Sequence, residues 1–426
     1  MWRTEIRKHT QHNFIVNVLD GAFYGLGFGF TSYEAVIPLF ITSLTDSKLL
    51  IGLITSMHVL GWQLPQLITA GRVARLKRYK PMVLAMTLNE RVPYLPMALI
   101  ALFITTIGQQ WALLLMIGLV LWQSLGAGFT ATAWQSMIGK IMPKERIGTF
   151  FGAQSAAANL LLSGSAIAAG FILAAVPAPY NFALCFLLTA IFMGISFGFL
   201  ALTREPEHTH ETADIPAFGW AQIKSILRRD INFRWYVVAR IFSQVAWMAV
   251  TFFTVYAVSR FDASETTIGF LTGLLVISRA IANPLMGWLG DHWGHRWVYA
   301  AGAVMMALGA AIALFAPTLE WLYVAFALSG FSTAASWAIA MSFTLEFGTT
   351  AEKPLYIGLS NTLVAPITLL ITAAGGGLAD IFGFTATFGL SIVGGLVTAA
   401  VLVFFVHDPH PQTRETIEAV PAAIGD

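Results

Sequence analysis

Twelve stretches of this chain are each about 20 or more residues long and almost wholly apolar. They run at 14–43, 49–71, 81–107, 110–139, 148–175, 180–203, 233–259, 266–287, 297–317, 320–345, 355–379 and 384–406. About 20 such residues cross the hydrocarbon core of a bilayer as a helix. Inside that core each peptide group must find its partner within the protein, which selects helices for stretches of this kind. Composition agrees: 57% of the 426 residues are hydrophobic and 11% are charged, against roughly 25% charged in a soluble domain. The expected fold is all-α and multi-pass, with the lipid bilayer as its surroundings.

Basic residues fix the expected orientation, because loops rich in Lys and Arg stay on the cytoplasmic side. With the N-terminus inside, cytoplasmic segments carry nineteen Lys and Arg and outer loops carry two, Lys48 and Arg260. Both termini are therefore expected in the cytoplasm. The polar start 1–13 leads directly into a span too long for a signal-peptide core, so no cleavable leader is expected. The net charge of +2 is spread over short loops and gives no footprint for nucleic acid. A single cysteine, Cys185, excludes an intrachain disulfide and argues against a thiolate metal site.

The chain repeats itself. Asn13-Phe14 before the first span recurs as Asn232-Phe233 before the seventh, and Ile51-Gly52 recurs as Ile268-Gly269. Pro65 recurs as Pro284, and the segment 128–134 (GFTATAW) as 330–337 (GFSTAASW). Arg204-Glu205-Pro206 recurs as His407-Asp408-Pro409. The expected division is a six-helix bundle at 1–203, a charged cytoplasmic linker at 204–232, a second bundle at 233–407 and a tail at 408–426. Parallel six-helix repeats with a binding site between them near the midplane are a transporter plan.

Between the eighth and ninth spans lies N-P-L-M-G-W-L-G-D-H-W-G-H-R, residues 283–296. Gly287, Leu289, Asp291, Gly294 and Arg296 stand in the pattern G-x-L-x-D-x-x-G-x-R. Glycines permit sharp turns and close helix approach, and Asp291 and Arg296 are placed to pair with helix-end dipoles. This loop resembles the signature loop of the major facilitator superfamily, with His292 where an Arg is usual. The resemblance extends over residues 13 to about 409. In the first half the corresponding run 71–81 departs from it: Arg75 replaces the acid and Arg78 the second glycine. If the acid latches the cytoplasmic side, as the resemblance implies, only the second half carries that latch. The basic run reads as an anchor to the cytoplasmic surface.

Six ionisable residues fall inside spans: Asp20, Glu34, Glu90, Arg91, Arg240 and Arg279. Each would cost roughly 2.5–3.5 kcal/mol facing lipid at a helix centre, so they are expected to face water or one another. Asp20, Tyr24, Gly27, Thr31 and Glu34 follow at helical spacing along one face of the first span. Arg240, Gln244, Trp247, Thr251 and Thr254 do so on the seventh. The resemblance implies that the first, fourth, seventh and tenth helices line a central cavity, so these stripes are expected to face each other across it. The other reading of such a stripe is helix–helix packing. Burial disfavours a carboxylate's charged form, which makes Asp20 or Glu34 the proton-coupling residue. Arg240 would hold a substrate anion, or a carboxylate when the site is empty. Adjacent Glu90 and Arg91 read equally as a structural ion pair with Gln63 or Gln66, and Arg279 either reaches the cavity or anchors the signature loop. Trp134 and Trp337 occupy matching places in the repeat, to stack on a substrate ring or to sit in an interfacial belt. Trp122, Gln123, Gln135 and Asn361 complete the set of lining residues.

No phosphate-binding loop is present, and no nucleophile–base pair or metal-ligand cluster shares a face, so neither ATP-driven chemistry nor an enzyme is expected. His208 and His210 read as part of a solvated linker rather than a metal site. The fifth span lacks the G-P-x-x-G-G run associated with drug/proton antiporters. The expected protein is a secondary transporter of a small organic solute by alternating access, with no cofactor and a proton gradient as its driving force. A proton-independent facilitator or exchanger, an amphiphile exporter, and a non-transporting sensor on the same fold remain alternatives. By analogy it is a monomer in the plasma membrane of a bacterium.

Overall fold

The structure, a computed structural model, describes residues 2–33, 35–45, 47–206, 220–349 and 351–408. Each of the twelve apolar runs is occupied by helix. Among the described residues nine helical stretches are long and apolar enough by themselves to cross a membrane. The second run is divided into Lys48–Gln63 and Gln66–Val73 at Pro65, whose ring removes a backbone donor. The third is divided into Lys80–Arg91, Tyr94–Leu102 and Ile104–Ile107, with Pro93 at the first break. The eleventh and twelfth form one stretch, Lys353–Phe404, interrupted at Gly383, whose φ of 73° is a conformation that favours glycine. A short helix, Trp220–Arg229, precedes the seventh run.

The sequence repeat reappears as a repeated hydrogen-bond clamp. Asn13 Nδ2 donates to the Arg204 carbonyl and Asn13 Oδ1 accepts from Arg204 N, both at 2.9 Å. In the second half Asn232 does the same with the carbonyl and N–H of His407, both at 2.7 Å. Each asparagine ties the first helix of its bundle to the segment that follows the last.

The acid that follows each clamp meets the start of another helix. Glu205 accepts from Tyr79 N at 2.9 Å and Lys80 N at 2.7 Å, at the N-terminus of Lys80–Arg91. Lys140 Nζ closes on it at 2.9 Å. A carboxylate there offsets the positive end of the helix dipole. Asp408 lies 3.8 Å from Arg296 Nε, at the start of the ninth helix, His295–Phe315. Burial pushes its carboxyl above the usual range and Arg296 pulls it back in part.

Asn13 is 1% exposed and its two bonds to Arg204 are part-buried, so its removal leaves two partly shielded backbone groups without their partner. Asn13→Ala is expected to lose about 1–3 kcal/mol. Asn232→Ala, at a more exposed site, should lose less. Thermal unfolding of the two variants in detergent checks the order.

Candidate functional site

The signature loop joins the two bundles. Asp291, near the end of Glu265–Trp293, accepts hydrogen bonds from Gly148 N and Thr149 N, both at 2.7 Å, and from Thr149 Oγ1 at 2.6 Å. These donors belong to the first turn of the fifth helix, Ile147–Ala175, in the other bundle. The first N–H groups of a helix have no partner within it and carry its positive dipole end. One carboxylate thus caps a helix across the interface. The contact needs glycine: a Cβ on Gly148 would collide with the Gly287 carbonyl, and one on Gly152 with that of Asn283. Gly294, at φ 96°, ends the eighth helix. Arg296 donates to the Val406 carbonyl at 2.7 Å and stacks over Trp297. His292 stacks on Trp288, while His295 hydrogen-bonds Glu346.

Other polar contacts between the bundles gather at this same end. Gln135 Nε2 donates to the Met341 carbonyl at 3.0 Å. Asn361 Nδ2 donates to Gln66 Oε1 at 2.7 Å, and Thr362 Oγ1 to the Gln63 carbonyl at 3.1 Å. Trp62 and Trp337 stack across the interface with centroids 5.3 Å apart. The apolar cores show the same polarity. Near the signature loop, Leu67, Ala70 and Ala74 join the second bundle's core, and Ala338, Leu345 and Ile357 join the first's. Toward the opposite end one core lies wholly in residues 30–193 and another wholly in 249–388. The bundles are closed against each other at the signature-loop end and keep separate cores at the other.

A buried ionic cluster lies within the first bundle. Arg91 Nη2 donates to Asp20 Oδ1 at 3.1 Å and to Ser196 Oγ at 2.9 Å. Arg91 Nη1 approaches Glu90 Oε2 at 3.6 Å and contacts Thr87 Oγ1. Ser196 Oγ donates to Asp20 Oδ1 at 2.6 Å, and Tyr24 OH to Glu90 Oε1 at 2.6 Å. Asp20, Glu90 and Arg91 are all buried. The first, third and sixth helices contribute, and two carboxylates face one guanidinium.

Arg240 stands apart from that cluster. It lines a pocket between the bundles with Trp62, Gln135, Trp337, Thr344 and Asn361. Its Nη1 donates to Ser360 Oγ at 3.0 Å and to Asn361 Oδ1 at 2.8 Å. Trp337 reaches the pocket through a local irregularity. Trp134 lies six positions after Gly128, but Trp337 lies seven after Gly330. The extra residue is absorbed in a π-turn, Ala335–Ile339, the usual way an insertion is accommodated within a helix and one often found at functional sites. Trp134, on the regular counterpart, packs edge-on against Phe151 in the core instead.

Against known proteins, the sequence profile of the Major Facilitator Superfamily matches residues 25–264 and again 236–424. The chain belongs to the major facilitator superfamily. Its fold is shared by the E. coli fucose:proton symporter FucP, at TM-score 0.74 and 15% identity over 92% of this chain and 98% of that one. It is shared too by a bacterial homologue of the iron transporter ferroportin in an outward-facing state, at 0.73 and 14% over 92% and 98%. The human organic anion transporter MFSD10 (TETRAN) follows at 0.70 and 12% over 92% and 99%. In sequence, the MFS-type efflux transporter pyiT of Pyricularia grisea is 25% identical over 166 residues, which are 39% of this chain and 27% of that protein. The chain spans about a quarter of that relative's length, and its family is one of multi-pass membrane transporters rather than of enzymes.

Several residues lie elsewhere in this facilitator than their spacing suggests. The first-helix stripe does not look across at Arg240: Asp20 and Tyr24 turn to the ionic cluster, and Thr31 hydrogen-bonds Thr189 of the sixth helix. Gly27 packs on the Thr189 carbonyl beside it. That face is helix–helix packing, and long side chains from the third helix reach its charge. Glu90 and Arg91 accordingly pair with Asp20 and Tyr24, and Gln63 and Gln66 serve the interface instead. Glu34 lies outside the described residues, as do His208 and His210.

On the seventh helix Gln244 accepts from Thr368 at 3.2 Å, Trp247 is half-buried and Thr251 is exposed. Arg279 is half-buried where the eighth helix crosses the tenth at Gly330. Trp122 bonds Asn89 at an exposed position, and Gln123 is buried beneath Tyr33 and His58. Ser196 and Ser360 went unnoticed in the sequence, because a serine in an apolar run carries no signal of its own.

The latch predicts a directional effect. In a Cys185→Ser background, Ser336→Cys places a thiol in the pocket lining. Adding Asp291→Ala should speed its alkylation by N-ethylmaleimide several-fold, since a charge-assisted cap contributes on the order of 1 kcal/mol or more. An unchanged rate would show that Asp291 does not hold this end closed.

Proposed function

We propose that this facilitator is a proton-coupled secondary transporter of a small organic solute, working by alternating access. Residues 1–203 and 233–407 rock as two bodies joined by the linker 204–232, with both termini cytoplasmic. The closed end carries contacts suited to breaking and re-forming. One carboxylate on a helix end, two side-chain amides and a tryptophan pair can be exchanged for water at modest cost, because hydrogen bonds are nearly neutral between protein and water. The outward-facing state of the ferroportin homologue of the same fold fits this reading.

The observation that carries proton coupling is the charge balance of the ionic cluster. Asp20 and Glu90 both ionised against Arg91 leave one negative charge buried among helices. An unbalanced buried charge costs several kcal/mol, and buried carboxyls readily exchange that cost for a proton. Protonation of either carboxyl cancels the charge and frees Arg91 or Tyr24 to change partners. The cluster joins the first, third and sixth helices, so a proton gained or lost there bears on how they pack. FucP, of the same fold, is named as a proton symporter, which agrees.

Asp20→Asn is expected to abolish solute accumulation driven by a proton gradient in proteoliposomes, while solute exchange at equal pH continues. Glu90→Gln should act the same way and shift the pH dependence of transport. If both amides still concentrate solute against its gradient, coupling does not pass through this cluster.

A further inference from the structure

One imidazole lies beneath the latch and takes no part in capping the fifth helix. His295, at the start of the ninth helix, is 4% exposed. Its Nδ1 hydrogen-bonds Glu346, just past the end of the tenth helix. An ionised carboxylate only accepts, so Nδ1 carries the hydrogen of that bond. In the neutral ring Nε2 then carries none. It is buried without a hydrogen-bond partner, 3.6 Å from Asp291 Oδ1. Buried polar atoms are nearly always paired, and this one stands at the joint between the bundles. A Cβ on Gly148 of the fifth helix would come within 2.8 Å of Nε2 and 2.7 Å of Asp291 Oδ1.

We propose that His295 is a proton-operated release for the latch: its ring is neutral while Asp291 caps the fifth helix, and a proton taken up from water at Nε2 draws Asp291 toward the ring and frees that helix. The proposal rests on the alternating-access reading and adds to it a second proton site, apart from the ionic cluster. The new Nε2–H would donate to Asp291 Oδ1, the oxygen that now accepts from Gly148 N. His295, Asp291 and Glu346 all belong to the second bundle, so a bond among them survives when the bundles part. The imidazolium would also stand beside the positive end of the fifth helix, which repels it. Both effects weaken the contact across the interface and leave the second bundle intact. The remaining charges around the ring are Arg296 on its own helix, and His407 and Asp408 after the last helix. Lys353, at the start of the eleventh helix, stands near Glu346 and, from the other bundle, Lys144. Burial pushes Lys353 down to about 8, so it keeps its charge in weak acid. Histidine is the side chain whose charge ordinarily changes between about pH 5 and 8.

The test uses the full chain with Cys185→Ser in lipid nanodiscs and spin labels at positions 145 and 292. The second label also removes the exposed imidazole of the loop, His292. Asp20→Asn and Glu90→Gln are added so that the ionic cluster no longer titrates. As the pH falls by two units from neutrality, the fraction of molecules with the longer distance is expected to rise at least about threefold, within the limit of about tenfold per unit for one linked proton. His295→Gln cannot take the proton and should abolish the rise. Glu346→Gln removes a carboxylate that favours the imidazolium; it should keep the rise and move it to lower pH. With Asp20 and Glu90 restored, His295→Gln should diminish the rise without abolishing it, which keeps the inference testable if the amides do not fold. A fraction that ignores pH, that falls in acid, or that rises equally in His295→Gln overturns the proposal. The two readings fail separately. A rise that needs only Asp20 and Glu90 removes the release and leaves proton-coupled transport standing. A rise abolished by His295→Gln, in a protein that moves no solute in proteoliposomes, keeps the release and sinks the transporter reading.

Discussion

The closed form of this molecule depends on a single carboxylate meeting the start of a helix in the other bundle. Asp291 accepts three hydrogen bonds from Gly148 and Thr149, and those donors have no partner inside their own helix. Around it the backbone of the eighth helix touches that of the fifth, which only glycine at 148, 152 and 287 permits. Gln135, Asn361 and Thr362 then fall within reach of their partners, and Trp62 can meet Trp337. The pocket at Arg240 exists because these contacts hold its walls together. Its geometry thus belongs to this arrangement of the bundles.

The two bundles share a plan and differ in their chemistry. The plan shows in the asparagine clamps, Asn13 on Arg204 and Asn232 on His407. The chemistry differs at the pseudo-equivalent of the latch. Where the second bundle has Asp291, the first has Arg75, and among the described residues the start of the eleventh helix receives no acid from the first bundle. It is tied within its own bundle instead, through Glu352 to Arg229 and Tyr356 to Asp230. The latch is one-sided. The intramembrane charges are likewise divided, with the ionic cluster in the first bundle and Arg240, which has no carboxylate partner among the described residues, in the second.

Much of the fold was legible because the bilayer imposes a length and a composition that a chain cannot disguise. The twelve runs, the repeat and the signature loop are all local patterns, and each coincides with observed helix or contact. The site was legible only in part. Periodicity showed that Asp20, Tyr24 and Thr31 share a face, and they do. It could not show which way that face turns, because rotation about a helix axis is set by neighbours distant in sequence, here Arg91, Ser196 and Thr189. The contrast between Trp134 and Trp337 rests on one inserted residue, which moves a side chain about 100° around a helix. Treating the two segments as equivalent hid that difference, and counting the residues between Gly330 and Trp337 would have revealed it.

Reciprocal movement of the two ends is the central claim, and distances between spin labels measure it directly. In a Cys185→Ser background one labelled pair would join Thr42 to Arg260, exposed positions at the ends of the first and seventh helices away from the signature loop. A second would join Glu145 to His292, exposed positions beside the latch. With the pH lowered, or solute added, the first distance should shorten as the second lengthens, each by several ångströms. Two distances that stay fixed, or that change in the same direction, would contradict alternating access in this protein.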